Sequence, residues 1–496
     1  MDNGSRCVIQ LPQKRKPGST SGNRVPIHIL LAKSAFVNIF LFFFSGEIAV
    51  KTHRFALIGH PVGHSISPFL HARLFALAGA DAQYGMEDIP PENLAGAVPG
   101  LRALDGFNLT IPHKRAVIPL LDALDPKAAE TGSVNTVKND GGRLTGFTTD
   151  GEGFRLALEN AGVPLAGNVV VLGAGGAARA VAFEAARAGA RVTVASRQHS
   201  AEAAAALCAD LRAKFPGARA ESRLISHLRG SWDILVNTTP AGMYPHTESC
   251  AAPEELVASS ACVFDAVYNP GETLLLAAAR RLGKQAVGGV GMLVGQAAAA
   301  EEIWLGAHFS DGDFSRLCAE TSLELRKKFG NVVLCGFMGS GKTTCGRLLA
   351  EETGRRFVDL DDFIERRAGR TVAEIFAQQG EAAFRDLEAR AVRELSHMQG
   401  LVVAAGGGTL LQPENAAALR ANGVIVLLDI SLQTARERLK GDSARPLLHR
   451  DDGSDAVGDL YRARAERYRA AADLTAAADG APQETVRAVR SLLTPS

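Results

Sequence analysis

The stretch GFMGSGKT at 336–343 has the spacing G-x-x-x-x-G-K-[ST]. Glycines there let backbone N–H groups close on phosphate oxygens, and a helix N-terminus behind them adds partial positive charge. A lysine at the seventh place reaches the β- and γ-phosphates, and the hydroxyl after it ligates Mg²⁺. Gly339, Ser340, Gly341, Lys342, Thr343 and Thr344 thus read as a nucleoside triphosphate site, with Thr343 on the metal. A second glycine cluster, VLGAGGAARA at 171–180, holds Gly173-x-Gly175-x-x-Ala178, the dinucleotide fingerprint with alanine in third place. The acidic residue expected about 20 residues later is absent, and the next apolar run ends Ala195-Ser196-Arg197. An arginine there suits a 2′-phosphate, so the fingerprint reads as NADP(H) in preference to NAD(H).

Both motifs need a strand before them and a helix after. The short β-branched runs FALIG (55–59), VVVLG (169–173), RVTVAS (191–196), DILVNTT (233–239) and CVFDAV (262–267) alternate with helical segments such as 176–189 and 200–214. The rhythm restarts at NVVLCGF (331–337), LVVAAGG (401–407) and GVIVLLDI (423–430). Buried strands alternating with helices predict an α/β chain with parallel sheets covered on both faces. A helix-like stretch over about 296–328 joins the two series with no Pro/Ser/Gly-rich linker.

The 496 residues leave room for about three domains. With 54 Lys+Arg against 53 Asp+Glu, the chain lacks the basic excess of a nucleic-acid binder. Seven scattered cysteines without a CxxC pair argue against a disulfide framework or zinc cluster and for a reducing, cytoplasmic setting. Residues 1–50 break the pattern, polar and basic to 25 and apolar from 26. The uncharged run between Lys33 and Glu47 is shorter than the ~20 residues of a spanning helix, so a disordered or targeting leader is expected. Membrane anchoring through 26–50 stays open.

Beyond the P-loop, FVDLDDFIERRAGRTVAEIF (357–376), FRDLE (384–388), AAGGGTLL (404–411) and ARPLL (444–448) resemble shikimate kinase over roughly 330–495. The resemblance implies ATP and Mg²⁺ as cofactors, with Asp359 supporting the metal. It places Asp361, Arg385 and Gly406, Gly407 and Gly408 at shikimate, Arg445 in a lid around 440–455, and Arg438 against adenine. Arg464 falls at a second carboxylate-binding arginine, but the family's following proline is missing and Arg467 is a rival. Asp361 would draw a proton from the attacking hydroxyl, and Lys342, Mg²⁺ and Arg445 would neutralise charge. Asp362 is expected to turn away and cap the next helix.

The first series carries GHPVGHSISPFLH (59–71), GFNLTIPHKRAV (106–117), SVNT (133–136), TTDGEGF (148–154), VNTTPAGM (236–243), FDAVYNP (264–270) and GMLVGQAA (291–298). In this order they resemble shikimate dehydrogenase over nearly all of 53–328. The resemblance implies Lys114 and Asp150 as the catalytic pair. Ser65, Ser67, Asn108, Thr110, Asn135 and Gln296 would hold the hydroxyls, with Tyr268 toward the carboxylate. Gly173, Ala174, Gly175, Gly176, Ala177, Ser196, Arg197, Thr238 and Gly291 would hold NADP(H). The family's asparagine before Thr-Asp is here Thr148. His64 and His113 lack metal-ligand spacing and read as packing or solvent-facing.

The expected organisation is a leader at 1–50, a dehydrogenase-like part at 51–328 and a kinase-like P-loop part at 329–496. Within the dehydrogenase-like part, 53–152 and 289–328 would form the substrate lobe and 153–288 the cofactor lobe. The product of the first reaction is the substrate of the second. The joint reading is reduction of 3-dehydroshikimate with NADPH, followed by phosphorylation of shikimate with Mg·ATP. The alternatives are a quinate/NAD-preferring first module and one module acting as a silent scaffold; oligomeric state is left open.

Overall fold

The structure is a computed structural model that describes residues 52–63, 65–440 and 455–494. The leader at 1–50 with its possible membrane anchor, His64, Arg445 and the lid segment 441–454 lie outside the described residues.

The first sheet uses β1 (His53–Gly59), β2 (Ala82–Asp88), β3 (Gly106–Leu109), β4 (Ala123–Leu124), β5 (Thr136–Asp140) and β6 (Arg143–Phe147), in the order β2-β1-β3-β5-β6-β4. It is mixed, whereas alternation with helices predicted parallel strands: β5 runs antiparallel to both β3 and β6. The reason is local. Gly141 and Gly142 both take positive φ (62° and 98°), the geometry of a tight two-residue hairpin turn. Helix α1 (Ser67–Ala78) packs on this sheet, and the one-turn helix α2 (His113–Ala116) follows β3.

Helix α3 (Asp150–Asn160) leads into the second sheet. Its strands β7 (Asn168–Leu172), β8 (Arg191–Ser196), β9 (Ala220–Leu224), β10 (Trp232–Asn237), β11 (Ser260–Asp265) and β12 (Gln285–Gly288) are ordered β12-β11-β10-β7-β8-β9, all parallel. The order reverses between β7 and β10, and an open parallel sheet binds its ligand in the crevice at that point. Helix α4 (Gly176–Arg187) starts there, directly after the glycine loop.

The stretch expected as one helix is two, α5 (Val290–Leu305) and α6 (Asp311–Phe329). Gly306 ends the first with a left-handed cap (φ 67°), and Ser310 opens the second through a capping box with Asp313. Helix α5 lies so close to α3 that a Cβ on Gly153 would sit 2.4 Å from Met292 O and 2.7 Å from Gln296 N. Its other flank joins α1 through Leu70, Leu74, Val294, Ala297 and Leu317.

The third sheet, β14-β15-β13-β16-β17, is all parallel: β13 (Asn331–Cys335), β14 (Arg356–Asp359), β15 (Leu401–Ala404), β16 (Gly423–Asp429) and β17 (Leu474–Ala477). Around it lie α7 (Lys342–Thr353), α8 (Leu360–Ala368), α9 (Val372–Ser396, kinked at Gly380), α10 (Leu432–Leu439) and α11 (Ala456–Ala471). Val332, Val333, Leu334, Val402, Val403, Val424 and Ile425 are fully buried at its centre. Helix α6 passes into β13 through Gly330 alone. The joint is pinned by a reciprocal pair: Glu272 N donates to Asn422 Oδ1 (2.9 Å) and Asn422 Nδ2 to Glu272 O (2.8 Å). Lys328 Nζ also donates to Ser65 O at 3.2 Å. Between these contacts lies a cavity of about 310 Å³ bordered by Tyr268, Arg280, Arg326 and Gln399.

Candidate active sites

The first site forms where the first sheet, α3 and α5 meet. Lys114, on α2, places Nζ 2.5 Å from Asp150 Oδ2. Asp150 opens α3, where the unpaired N–H groups of the first turn favour a carboxylate. Asn135 is the hub: Nδ2 faces Asp150 Oδ1 (2.9 Å), Thr149 Oγ1 (2.9 Å) and Gln296 Oε1 (3.3 Å). Its Oδ1 accepts from Thr149 N at 2.7 Å. An amide carries two Nδ2 protons, so three acceptors compete for them and one can be released to a ligand.

Ser65 and Ser67 share a bond at 3.1 Å between their hydroxyls. Asn108 is only 4 % exposed. Its Nδ2 serves Asn135 O (3.2 Å) and Thr136 Oγ1 (3.0 Å), while its Oδ1 accepts from Tyr84 Oη (2.6 Å). Both amide protons of Asn108 have partners within the protein, one of them the Asn135 carbonyl. Thr110 N donates to Ile58 O, extending the β1–β3 pairing, and Thr110 O accepts from His113 N in the turn that leads to Lys114. His113 is fully buried with Nε2 2.6 Å from Ile89 O, the packing role expected of it. Thr148 buries its hydroxyl with no partner among the described residues. Tyr268 borders the cavity at the joint, and no described hydrogen bond ties it to the Lys114 cluster.

The dinucleotide loop faces this cluster: a Cβ on Gly176 would sit 3.9 Å from Lys114 Cδ. Gly173 takes φ +109°, and a Cβ there would come 3.0 Å from Thr238 Oγ1, itself bonded to Leu172 O at 2.6 Å. Nothing lies within 4 Å of a Cβ on Gly175, so the loop is open to an incoming pyrophosphate along Ala174–Ala177. Arg197 is exposed just past β8, beside the buried Ser196, and has no ion-pair partner among the described residues. This cradle fits NADP(H). Gly291, expected at the cofactor, is also required by packing, since its Cβ would meet Ala157 Cβ at 3.0 Å.

The second site is a cavity of about 650 Å³ over the third sheet, bordered by Lys342, Thr343, Asp361, Arg385, Gly406–Gly408 and Arg464. Gly341 caps α7 with φ +87°, the left-handed turn that aims N–H groups at phosphate. Ser340 N is bonded to Phe337 O (3.1 Å) and Thr344 borders the same cavity. Lys342 Nζ rests on Gly336 O (3.0 Å), and Thr343 Oγ1 donates to Asp359 Oδ2 at 2.8 Å. The last pair sets two hard oxygen donors side by side, a fit for Mg²⁺. Arg438 is held by the carbonyls of Gly339 (3.1 Å), Asp479 (2.9 Å) and Gly480 (2.9 Å) at the edge of the loop.

Asp361 lies in the first turn of α8. Burial, reinforced by Asp359 and Glu388, pushes its carboxyl up to about 6. Glu388, almost wholly buried, accepts from Arg385 Nη1 (2.9 Å) and from Thr409 Oγ1 (2.7 Å). The i, i+3 spacing of Arg385 and Glu388 on α9 is the sequence signal for this brace. The three glycines permit close approach: Cβ atoms on Gly406 and Gly408 would lie 2.9 Å from Asp361 Oδ1 and 2.8 Å from Arg385 Nη1. Arg464 Nη1 sits 3.4 Å from Gly407 O inside the cavity, whereas the exposed Arg467 bonds Leu411 O at 2.7 Å outside its border. Asp362 is an exposed residue within α8 and caps nothing; the cap is Asp359, which accepts from Asp361 N at 3.1 Å, correcting the expectation.

The family model described as "shikimate dehydrogenase substrate binding domain" matches residues 57–137, and that described as "shikimate kinase" matches 338–494. A shikimate dehydrogenase (NADP(+)) of Symbiobacterium thermophilum is 47% identical over 279 residues, covering 54% of this chain and 94% of the relative. The crystal structure of shikimate 5-dehydrogenase from Thermus thermophilus in complex with NADP(H) and shikimate is 37% identical, with TM-score 0.50 over 54% of this chain and all of that one. A chorismate mutase/shikimate 5-dehydrogenase fusion protein from Clostridium acetobutylicum matches at 33% identity and TM-score 0.50, over 56% of this chain. With the Lys114–Asp150 cluster beside a dinucleotide loop and a P-loop cavity carrying Asp361 and Arg385, the chain belongs to the shikimate dehydrogenase family, joined in one polypeptide to a shikimate kinase domain.

Proposed function

We propose that this chain reduces 3-dehydroshikimate to shikimate and then phosphorylates shikimate to shikimate 3-phosphate. The observation that carries the reading is the pairing of two complete constellations, Lys114–Asp150–Asn135 beside Gly176 and Lys342–Asp361–Arg385 around one cavity. NADPH, when bound along Gly173–Ala177 with its 2′-phosphate at Arg197, supplies the hydride. Lys114 stabilises the negative charge that grows on the ketone oxygen and gives that oxygen its proton, while Asp150 holds the ammonium in place. Ser65, Ser67, Asn135 and Gln296 offer neutral groups suited to a polyhydroxy acid.

In the second site, Arg385 and Arg464 grip the carboxylate of shikimate with charge-assisted bonds. Asp361 accepts the proton of the attacking hydroxyl. Lys342 leaves its two carbonyl partners for the β- and γ-phosphates, where the charge is greater. Thr343 and Asp359 would hold Mg²⁺, which neutralises phosphate charge when bound. Arg438 flanks the nucleotide.

Single variants test this directly. Lys114→Ala is expected to lower NADPH-dependent reduction by at least about 100-fold and leave phosphorylation intact, while Lys342→Ala does the reverse. Loss of both activities from either change would contradict two independent sites.

A further inference from the structure

Behind the Lys114 cluster lies a chain of buried groups that the chemistry above does not use. His71 (1 % exposed) on α1 and Glu301 (0 %) on α5 meet with Nδ1 and Oε1 2.6 Å apart. Burial raises the Glu301 carboxyl, and its Oε2 has no partner among the described residues. Two ionisable side chains in full burial are costly, a cost that their mutual hydrogen bond offsets only in part. The His71 ring stacks on Tyr84, centroids 4.0 Å apart and planes within 6°. Tyr84 Oη then donates to Asn108 Oδ1 at 2.6 Å, and Asn108 Nδ2 reaches Asn135 O and Thr136 Oγ1. Asn135 in turn bonds Asp150, the partner of Lys114. Each link fixes an orientation. The oxygen and nitrogen ends of an amide have nearly the same shape, so Asn108 faces Asn135 nitrogen-first only while a donor pins its oxygen.

Tyr84 is that donor, and Glu301 fixes the ring against which Tyr84 lies. We propose that Tyr84, backed by the His71–Glu301 pair, is a positioning residue for the reduction step, setting Asn108 and through it the Asn135–Asp150–Lys114 geometry. It touches neither substrate nor cofactor. The inference rests on the dehydrogenase reading of this site.

The test uses the full chain, with the unfolding midpoint of the dehydrogenase part as the control for folding and phosphorylation as the control for the amount of protein. Tyr84→Phe keeps the ring on His71 and removes one hydrogen bond. It is expected to lower kcat for 3-dehydroshikimate reduction about threefold to tenfold, with KM moving less than about twofold and phosphorylation unchanged. Should Tyr84→Phe not fold, Glu301→Gln and Glu301→Leu replace it: the first keeps an acceptor for His71 and should retain kcat, the second should show the same selective loss. Wild-type kcat in folded Tyr84→Phe overturns the proposal. So does a fall in kcat accompanied by a lowered unfolding midpoint of the dehydrogenase part, or a rise in KM alone, either of which marks a merely structural role. A wild-type chain without 3-dehydroshikimate reduction would instead overturn the reading of the site itself, and the proposal with it.

Discussion

Arg197 and Asp361 each carry a prediction that a single substitution can check. Arg197 is exposed at the end of β8, where an acidic side chain would hold a free 2′-hydroxyl. A charge-assisted contact to a 2′-phosphate contributes roughly 1.5–3 kcal/mol. Arg197→Ala should therefore cut the preference for NADPH over NADH by about tenfold to a hundredfold, measured as the ratio of the two kcat/KM values. An unchanged ratio would move cofactor choice elsewhere. Asp361 is held near 6 by burial, Asp359 and Glu388, against 3.8 for an ordinary aspartate. The folded state thus favours the protonated form. The stability this group contributes is complete below about 3.8 and is lost as pH rises through about 6. In chelator and without nucleotide, Asp361→Asn should raise the midpoint of kinase-part unfolding at pH 7.5, with no gain near pH 4. Calorimetry at the two pH values checks this, and the same variant should lose phosphorylation at saturating shikimate. A lower midpoint at pH 7.5 would contradict the burial argument.

At the scale of elements, the sites depend on close approach more than on any single side chain. Gly153 and Gly295 let α3 and α5 pack backbone to backbone, so that Gln296 reaches Asn135. Gly153→Ala would drive a Cβ to 2.4 Å from Met292 O, and overpacking of this kind costs about 1–3 kcal/mol. The expected result is a lower unfolding midpoint for the dehydrogenase part, a reduced reduction rate and unchanged phosphorylation; an unperturbed variant would show that α5 has slack. Apolar β-branched runs next to glycine loops made β1, β7, β8, β10, β11, β13, β15 and β16 legible in the sequence. The hairpin at Gly141-Gly142 was present as a turn signal but was masked by the stronger alternation of strands and helices. The break at Gly306 was hidden because apolar residues continue on both sides of it. Residues in the glycine-rich and lysine-bearing motifs were readable because their chemistry is local. Tyr84, His71 and Glu301 were not, since 230 residues separate the last two and only folding brings them together. Asn108 shows the same limit in reverse: its motif marked it as important, but its bonds to Tyr84 and to the Asn135 carbonyl are visible only in the fold.

At the scale of the molecule, residues 52–494 carry two sites whose chemistry is consecutive, and the connection between them is one glycine long. Asn422 and Glu272 exchange backbone-directed bonds across the joint, and Lys328 holds the carbonyl of Ser65 from the last turn of α6. Among the described residues no helix is long and apolar enough to cross a membrane, and the six described cysteines are free. One polypeptide is expected to perform both steps in order. The most direct test supplies the full-length protein with 3-dehydroshikimate, NADPH, ATP and Mg²⁺ and follows the products by mass spectrometry. Shikimate 3-phosphate should appear, and omitting NADPH or ATP should abolish it, with shikimate accumulating only when ATP is left out. Accumulation of unphosphorylated shikimate in the complete mixture, or no reduction at all, would contradict the account.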